Sequence, residues 1–347
     1  MNHTHKLSLL VLGITTTLGL LITPHAKTLS INQYSEDDIN AISRMTTVVI
    51  GNYSGTFEEE DSYGNVNCTE PKIIKNIDKK KKQIKENQAS GVIIAKRNNT
   101  FYVLTNQHVL EKGADCYGIV VWDGDKHSIH FSKDSDIQYI DKKEFGQGVD
   151  LALIKFQGYS SNQYYVASLK DSNTIPDSGQ LFVSGWPTPP EDEKTSSERK
   201  FLSANIFSNF PPETVSTETF LCPDKRGYKL CYFSKVRKGM SGGPIFDANG
   251  YVVGIHGRGN SKYKGSGIPI TEFIYLINQN KSTLSKNDLN FKPPSQDLIA
   301  KGRENARQAD TIEDLYELFL GCLIIERNEL SCITDYPSDL EWNDKCK

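Results

Sequence analysis

No two of the chain's seven cysteines stand in a Cys-x-x-Cys spacing. The absence removes the usual zinc and thiol-redox signatures, and neither a metal nor an organic cofactor is implied. Charge of one sign is not in excess either. Forty Lys and Arg against 43 Asp and Glu give a formal net charge of −3, so nothing argues for nucleic acid as a general partner. No internal repeat is visible. Past residue 26 no apolar run approaches the roughly 20 residues that a spanning helix needs, so the mature chain is expected to have no membrane partner.

Residues 1–26 read as a secretory signal. His3, His5 and Lys6 make a weakly basic start, residues 7–22 (LSLLVLGITTTLGLLI) are the apolar stretch, and Pro24-His25-Ala26 offers a helix break and a small residue for cleavage. An uncleaved anchor is the alternative, but its apolar run is short and diluted by three threonines. Export makes a secreted or periplasmic location the expectation and disulfides permissible. Cys222 and Cys231 flank a short hairpin candidate and are the best pair for one.

Residues 27–45 form a leader with a short helical possibility at Asp37–Arg44. A charged insert at 52–88 holds EEED (58–61) and KKKK (79–82) and reads as an exposed loop. Short β-branched and aromatic runs then follow one another: 118–122 (GIVVW), 150–156 (DLALIKF), 180–186 (QLFVSGW), 229–234 (KLCYFS), 244–247 (PIFD) and 251–257 (YVVGIHG). Asn98-Asn99 marks a hairpin turn. Strands at this density with few helical patterns predict an all-β fold of barrels. Residues 157–178 read as the connection between two of them. A helix capped by Thr271 is expected at 271–278, a linker at 281–295, and a helical, Cys-containing extension at 296–347. Within that extension Ile312, Leu315, Phe319, Cys322 and Leu323 share a face behind a capping-box pattern at Thr311–Asp314.

Three motifs carry chemistry. Residues 239–257 (GMSGGPIFDANGYVVGIHG) place Ser241 in a glycine-rich turn. A run at 101–110 (FYVLTNQHVL) ends near His108, and 148–156 (GVDLALIKF) begins with Asp150. A serine hydroxyl needs an imidazole to take its proton. That imidazole needs a carboxylate to fix its tautomer. His127 and His130 are rival imidazoles in polar surroundings, and Asp134, Asp136 and Asp141 are rival carboxylates without the following apolar run.

With these motifs in this order, the chain resembles the trypsin-like (chymotrypsin-fold) serine proteases. It is nearest their bacterial branch, which writes TNxHV around the histidine and GxSGGP around the serine, and it is similar to cyanobacterial trypsin-like peptidases. The likeness covers roughly 46–280. It implies two six-stranded Greek-key barrels, about 46–165 and 170–270, with a helical extension, and a cleft holding His108, Asp150 and Ser241. It also implies an endopeptidase acting on proteins or peptides through an acyl-enzyme, with the N–H groups of Gly239 and Ser241 as oxyanion donors. Met240 stands where animal digestive enzymes place an aspartate that pairs with a freed N-terminus, so that activation switch is not expected. The tail is too short for a complete PDZ domain. His256 resembles the pocket histidine of glutamyl endopeptidases, and Lys235 and Arg258 add positive charge, while Val236 replaces the usual hydroxyl residue. Two readings of His256 stay open: a ligand for an acidic P1 side chain, or a histidine satisfied by its surroundings.

Overall fold

Strands form where β-branched and aromatic runs meet turn residues, and the pairing of those strands sets the architecture. The computed structural model describes residues 34–53, 88–110, 116–141, 148–158, 163–175, 179–189, 196–206, 225–261, 264–279, 281–313 and 315. The signal segment, the charged blocks at 58–61 and 79–82, Cys68, Cys222, Phe319, Leu323 and the three C-terminal cysteines lie outside the described residues, which all fall within one compact unit.

The first half holds β1 (Thr47–Tyr53), β2 (Ala89–Arg97), β3 (Thr100–Thr105), β4 (Cys116–Trp122), β5 (His127–Ser132), β6 (Ile137–Tyr139) and β7 (Ala152–Gln157). They make one antiparallel sheet in the order β5-β4-β1-β2-β3-β7-β6. The second half holds β8 (Gln180–Gly185), β10 (Lys200–Ile206), β11 (Leu230–Phe233), β12 (Pro244–Asp247), β13 (Val252–Ser261) and β14 (Lys264–Pro269), with the short β9 (Ser197–Glu198) outside it. These six close into a barrel in the order β10-β11-β14-β13-β12-β8. Apart from the edge strand β6, both halves follow the same Greek-key path. The first half meets its own end through side chains rather than a ladder: Ser132 Oγ donates to the Lys155 carbonyl at 2.8 Å, and His130 stacks on Phe156 with centroids 4.5 Å apart. The fold is therefore a mostly-β pair of Greek-key units, one a closed barrel and one a sheet curled until its ends touch.

Local chemistry explains the edges of these elements. Asn98 adopts φ +53 between β2 and β3, the left-handed turn conformation that asparagine tolerates. Helix α1 (Glu36–Thr46) starts at Ser35, whose hydroxyl accepts from the Asp38 N–H while the Asp38 carboxylate accepts from Ser35 N–H. It buries Ile39, Ile42 and Met45, so the segment read as a leader belongs to the packed body.

Helix α2 (Gln107–Leu110) is a single turn after β3. Helix α3 (Ile270–Asn278) begins one residue earlier than expected, with Pro269 as its N-cap. Thr271 does not cap it, because the Thr271 hydroxyl accepts from Ser172 N–H at 3.0 Å and donates to Asp171 at 3.1 Å, both in the connection between the halves. The expected linker is bound along the first sheet. Leu289 bridges Ala95, Arg97 pairs with Asp288 at 2.5 Å, and Leu169 N–H donates to the Asn290 carbonyl at 2.7 Å.

The tail begins as helices α4 (Gln296–Arg303), capped by Ser295, and α5 (Ala306–Asp310). Thr311 and Ile312 are strand rather than helix: as β15 (Thr311–Ile312) they pair with β9. The ladder to Ser197 and Glu198 offers their backbone partners that a helix start would not, and it buries Ile312 with Leu315, Trp186 and Val120. Arg199, 5% exposed, ties the ends together. Its guanidinium donates to Asp310, Ser43, Ser184 and Asn40. Among the described residues no helix is long and apolar enough to cross a membrane. Cys231 is disulfide-bonded.

Three histidines, His130 and His256 buried and His127 partly so, set an acid limit on this fold. Burial pushes His127, His130 and His256 from 6.5 down to about 4, so each stays neutral when folded. Their unfolded forms bind protons first as pH falls, so the stability they contribute is present above about pH 6.5 and is lost on the way down to about 4. Asp247, buried and pushed up, opposes this as a single group. The denaturant midpoint is therefore expected to drop steadily between those pH values. A flat midpoint across that window would contradict it.

Candidate active site

The polypeptide brings His108 and Asp150 together through the edges of the first sheet. β3 ends at Thr105, whose hydroxyl donates to the Ser90 carbonyl at 2.7 Å. Asn106 then donates from Nδ2 to the Asp150 carbonyl at 3.0 Å, which fixes the start of α2 and the place of His108 in it. The far end of α2 is held by Tyr117 and Tyr139, whose hydroxyls both donate to the Leu110 carbonyl. Asp150 lies just before β7.

The carboxylate of Asp150 is wholly buried. Its Oδ1 accepts from the backbone N–H of His108 at 2.9 Å, and its Oδ2 lies 2.7 Å from His108 Nδ1. Burial by itself would raise its pKa. The bonds and charge of His108, together with the Tyr228 hydroxyl at 2.5 Å, outweigh that and hold it at about 2. Asp150 is thus ionised across the physiological range. The His108 ring is about one-third exposed and faces outward from this anchor.

Ser241 sits on the second half. Its carbonyl accepts from Ser90 N–H at 2.9 Å, so the serine turn is tied to β2 next to the strand that leads to His108. Met240, fully buried, plugs the barrel core with Leu181, Val183 and Ile245 and fixes the turn from below. The expected vacancy of the activation ion pair is thus filled by apolar packing. Gly242 N–H and the Gly243 carbonyl exchange bonds with His256 at 2.8 Å each. Gly239 has φ +92, and a Cβ there would stand 2.4 Å from Thr188 N. Met240 N–H turns away to the Arg237 carbonyl. Among the described residues the N–H groups of Gly239 and Ser241, on either side of it, have no acceptor. The Ser241 hydroxyl donates to the Gly257 carbonyl at 3.1 Å rather than to His108.

The four pocket residues separate. Lys235 and Arg258 are exposed and Val236 is half-buried against Gly259. His256 is 2% exposed. Tyr232 lies 2.5 Å from its Nδ1, and it hydrogen-bonds the Ser266 backbone. Burial pushes its pKa down to about 4, so it is neutral at physiological pH, and the structure favours the satisfied-histidine reading. His130, the rival imidazole, is buried against Tyr164 at 2.7 Å.

Arg226 and Tyr228 went unread in the sequence. They sit in the segment before β11, and both reach Asp150. Their only sequence signal is a Arg-Gly turn ahead of a strand, which does not reveal a partner 78 residues away.

Two Greek-key units, with His108 and Asp150 in the first and Ser241 in the second, are the arrangement that the resemblance to trypsin-like serine proteases implies. Residues 89–255, from β2 through the serine turn, match the family model described as "Trypsin-like peptidase domain". A curated relative, "Serine protease Do-like HtrB" of Bacillus subtilis (strain 168), is 26% identical over 167 residues, which are 48% of this chain and 32% of the relative. The chain thus spans about a third of that relative's length. Among solved structures, Rv3671c from M. tuberculosis H37Rv (a Ser343Ala mutant, inactive form) aligns with TM-score 0.41 at 16% identity, covering 71% of this chain and 91% of that one. Deg5 aligns with TM-score 0.42 at 14% identity, covering 69% and 91%.

Gly239→Ala tests the turn. The added Cβ would meet the backbone of residues 186–188 in a conformation that L side chains rarely adopt. The turn must then shift and take the Gly239 N–H with it. Loss of one oxyanion donor costs on the order of 10^2 to 10^3 in kcat, and a variant that keeps wild-type kcat would show that this N–H has no such role.

Proposed function

We propose that the chain is an exported serine endopeptidase that cleaves protein or peptide substrates, with Ser241 as nucleophile, His108 as general base and Asp150 as the orienting carboxylate. The carrying observation is the buried, ionised Asp150 clasping both the backbone and the ring of His108 inside a trypsin-like peptidase domain. A carboxylate that accepts from Nδ1–H leaves Nε2 as the basic ring nitrogen.

Ser241 Oγ then attacks the scissile carbonyl carbon while Nε2 takes its proton. The tetrahedral oxyanion accepts from the Gly239 and Ser241 N–H groups. Collapse breaks the C–N bond, and the amine leaves with the proton from His108. Water repeats the sequence on the acyl-enzyme and frees the acid. In the resting protein the Ser241 hydroxyl is engaged with Gly257. Catalytic hydrogen bonds are often loose before substrate binds. The same contact favours one other reading, a protease-fold binding protein, because a hydroxyl held by a carbonyl is not held by a base. Labelling with a fluorophosphonate separates the two, since only an activated serine reacts.

The leader at 1–26 supports export to a secreted or periplasmic location, and the disulfide at Cys231, which we assign to Cys222, fits an oxidising compartment. An acidic P1 preference forms the finer part of the proposal. Its support is the cationic surface of Lys235, Arg237, Lys238 and Arg258 rather than a charged His256.

Ser241→Ala is expected to lower kcat by about 10^4-fold or more with an unchanged melting curve. Retained hydrolysis would remove the nucleophile assignment. On peptides matched except for Glu, Lys, Leu or Ala at P1, the wild type should favour Glu in kcat/KM; a preference for Lys or Leu ends the acidic reading.

Asp150→Asn should cost about 10^4-fold near neutral pH by reversing the His108 tautomer. Activity within tenfold of wild type would mean that another group orients the ring.

A further inference from the structure

We propose that Tyr228 and Arg226 are positioning residues for the His108–Asp150 pair, supplied across the cleft by the second half of the molecule, and that Gly257 is glycine to admit the Tyr228 hydroxyl. The inference rests on the peptidase reading above and names two further residues that serve it.

The geometry is specific. Tyr228 is fully buried, and its hydroxyl donates to Asp150 Oδ2 at 2.5 Å, the same oxygen that faces His108 Nδ1. Arg226 Nη2 lies 3.2 Å from Oδ1, the oxygen that accepts the His108 N–H. Its own carbonyl accepts from Asp150 N–H at 3.0 Å, so one residue grips the aspartate by backbone and side chain. Arg226 does this from the left-handed region, φ +62, followed by Gly227 at φ +83. A backbone bent that way by a non-glycine residue persists only where its surroundings hold it. A Cβ on Gly257 would come within 2.3 Å of the Tyr228 oxygen. Any other residue at that point of β13 would push the hydroxyl off the carboxylate.

The chemistry follows from the shared oxygens. Each carboxylate oxygen carries one bond to His108; Oδ2 also accepts from Tyr228 and Oδ1 is ion-paired with Arg226, which restrains the carboxylate from rotating away from the imidazole. Burial first, and then the Asp150 charge, push the Tyr228 pKa up, so it remains a donor. The clamp also draws on the negative charge that would otherwise stabilise an imidazolium. The remaining charged or titratable neighbours are Arg258, stacked 4.5 Å over the Tyr228 ring, and His256, which repels His108 only when both rings are protonated. Tyr232 backs His256 from the barrel side.

The test pairs activity with a readout that needs none. Tyr228→Phe removes only the hydroxyl and is expected to lower kcat/KM about tenfold, mostly in kcat, because a hydrogen bond to a charged group is lost. The acid limb of the pH profile should move to higher pH, since the carboxylate then holds the imidazolium more firmly. The low-field proton resonance of His108 Nδ1–H should shift in the Ser241→Ala background as well. Arg226→Met, at a part-exposed position, should move the limb and the resonance the same way, and it serves as the second variant if Tyr228→Phe melts early. An unmoved resonance together with an unmoved acid limb and a rate within twofold of wild type overturns the inference and leaves Tyr228 a packing residue. If the wild type neither reacts with fluorophosphonate nor cleaves any peptide, the peptidase reading falls, and the resonance alone still decides whether the clamp exists.

Discussion

A single negative charge with no access to water organises this molecule. Leaving the Asp150 carboxylate unpaired at full burial would cost several kcal/mol even after relaxation. No one segment of the chain offsets that alone. His108 contributes from the end of β3, Arg226 and Tyr228 from the far half, and Asn106 steadies the backbone between them. Docking of the two halves and completion of the site are therefore one event. The contact between the halves is thus held by the same groups that hold the imidazole.

Beneath the serine turn the logic is the reverse, because charge is kept out. Met240 fills the barrel with apolar volume, and His256 stands neutral between Tyr232 and the turn it braces by two backbone bonds. A protonated imidazole there would sit in a site that burial makes hostile to it. Positive charge nearby comes instead from the exposed Lys235 and Arg258.

What the sequence made legible followed signal strength. β3, β12 and β13 were readable because Phe101–Thr105, Pro244–Asp247 and Val252–His256 are dense in apolar, β-branched or aromatic residues. The order of the His, Asp and Ser motifs pointed to the fold class, and the family match agrees. β5 was hidden by two histidines, of which His130 is buried only because Tyr164 and a backbone carbonyl satisfy it. β14 was hidden by its glycines, one of them lying where a Cβ would be 2.4 Å from the Tyr232 ring. At Ile312 the projected helix gives way to a two-residue ladder to β9, while Leu315 is helical and the rest of that face lies outside the described residues. Arg226 and Tyr228 had no local signature at all, since their meaning lies in a partner on another strand.

The buried guanidinium of Arg199 carries a consequence for biosynthesis. Its acceptors come from α1, from β8 and from Asp310, residues synthesised far apart in time. Arg44 also reaches Asp310, and Tyr34 reaches Pro294. The apolar side of α1 therefore emerges long before the groups that cover it, and contacts this distant in sequence form late. A nascent chain shorter than about residue 310 has its first helix and no clasp. The folded state becomes available only once synthesis has passed about residue 310, which delays the finished site until then.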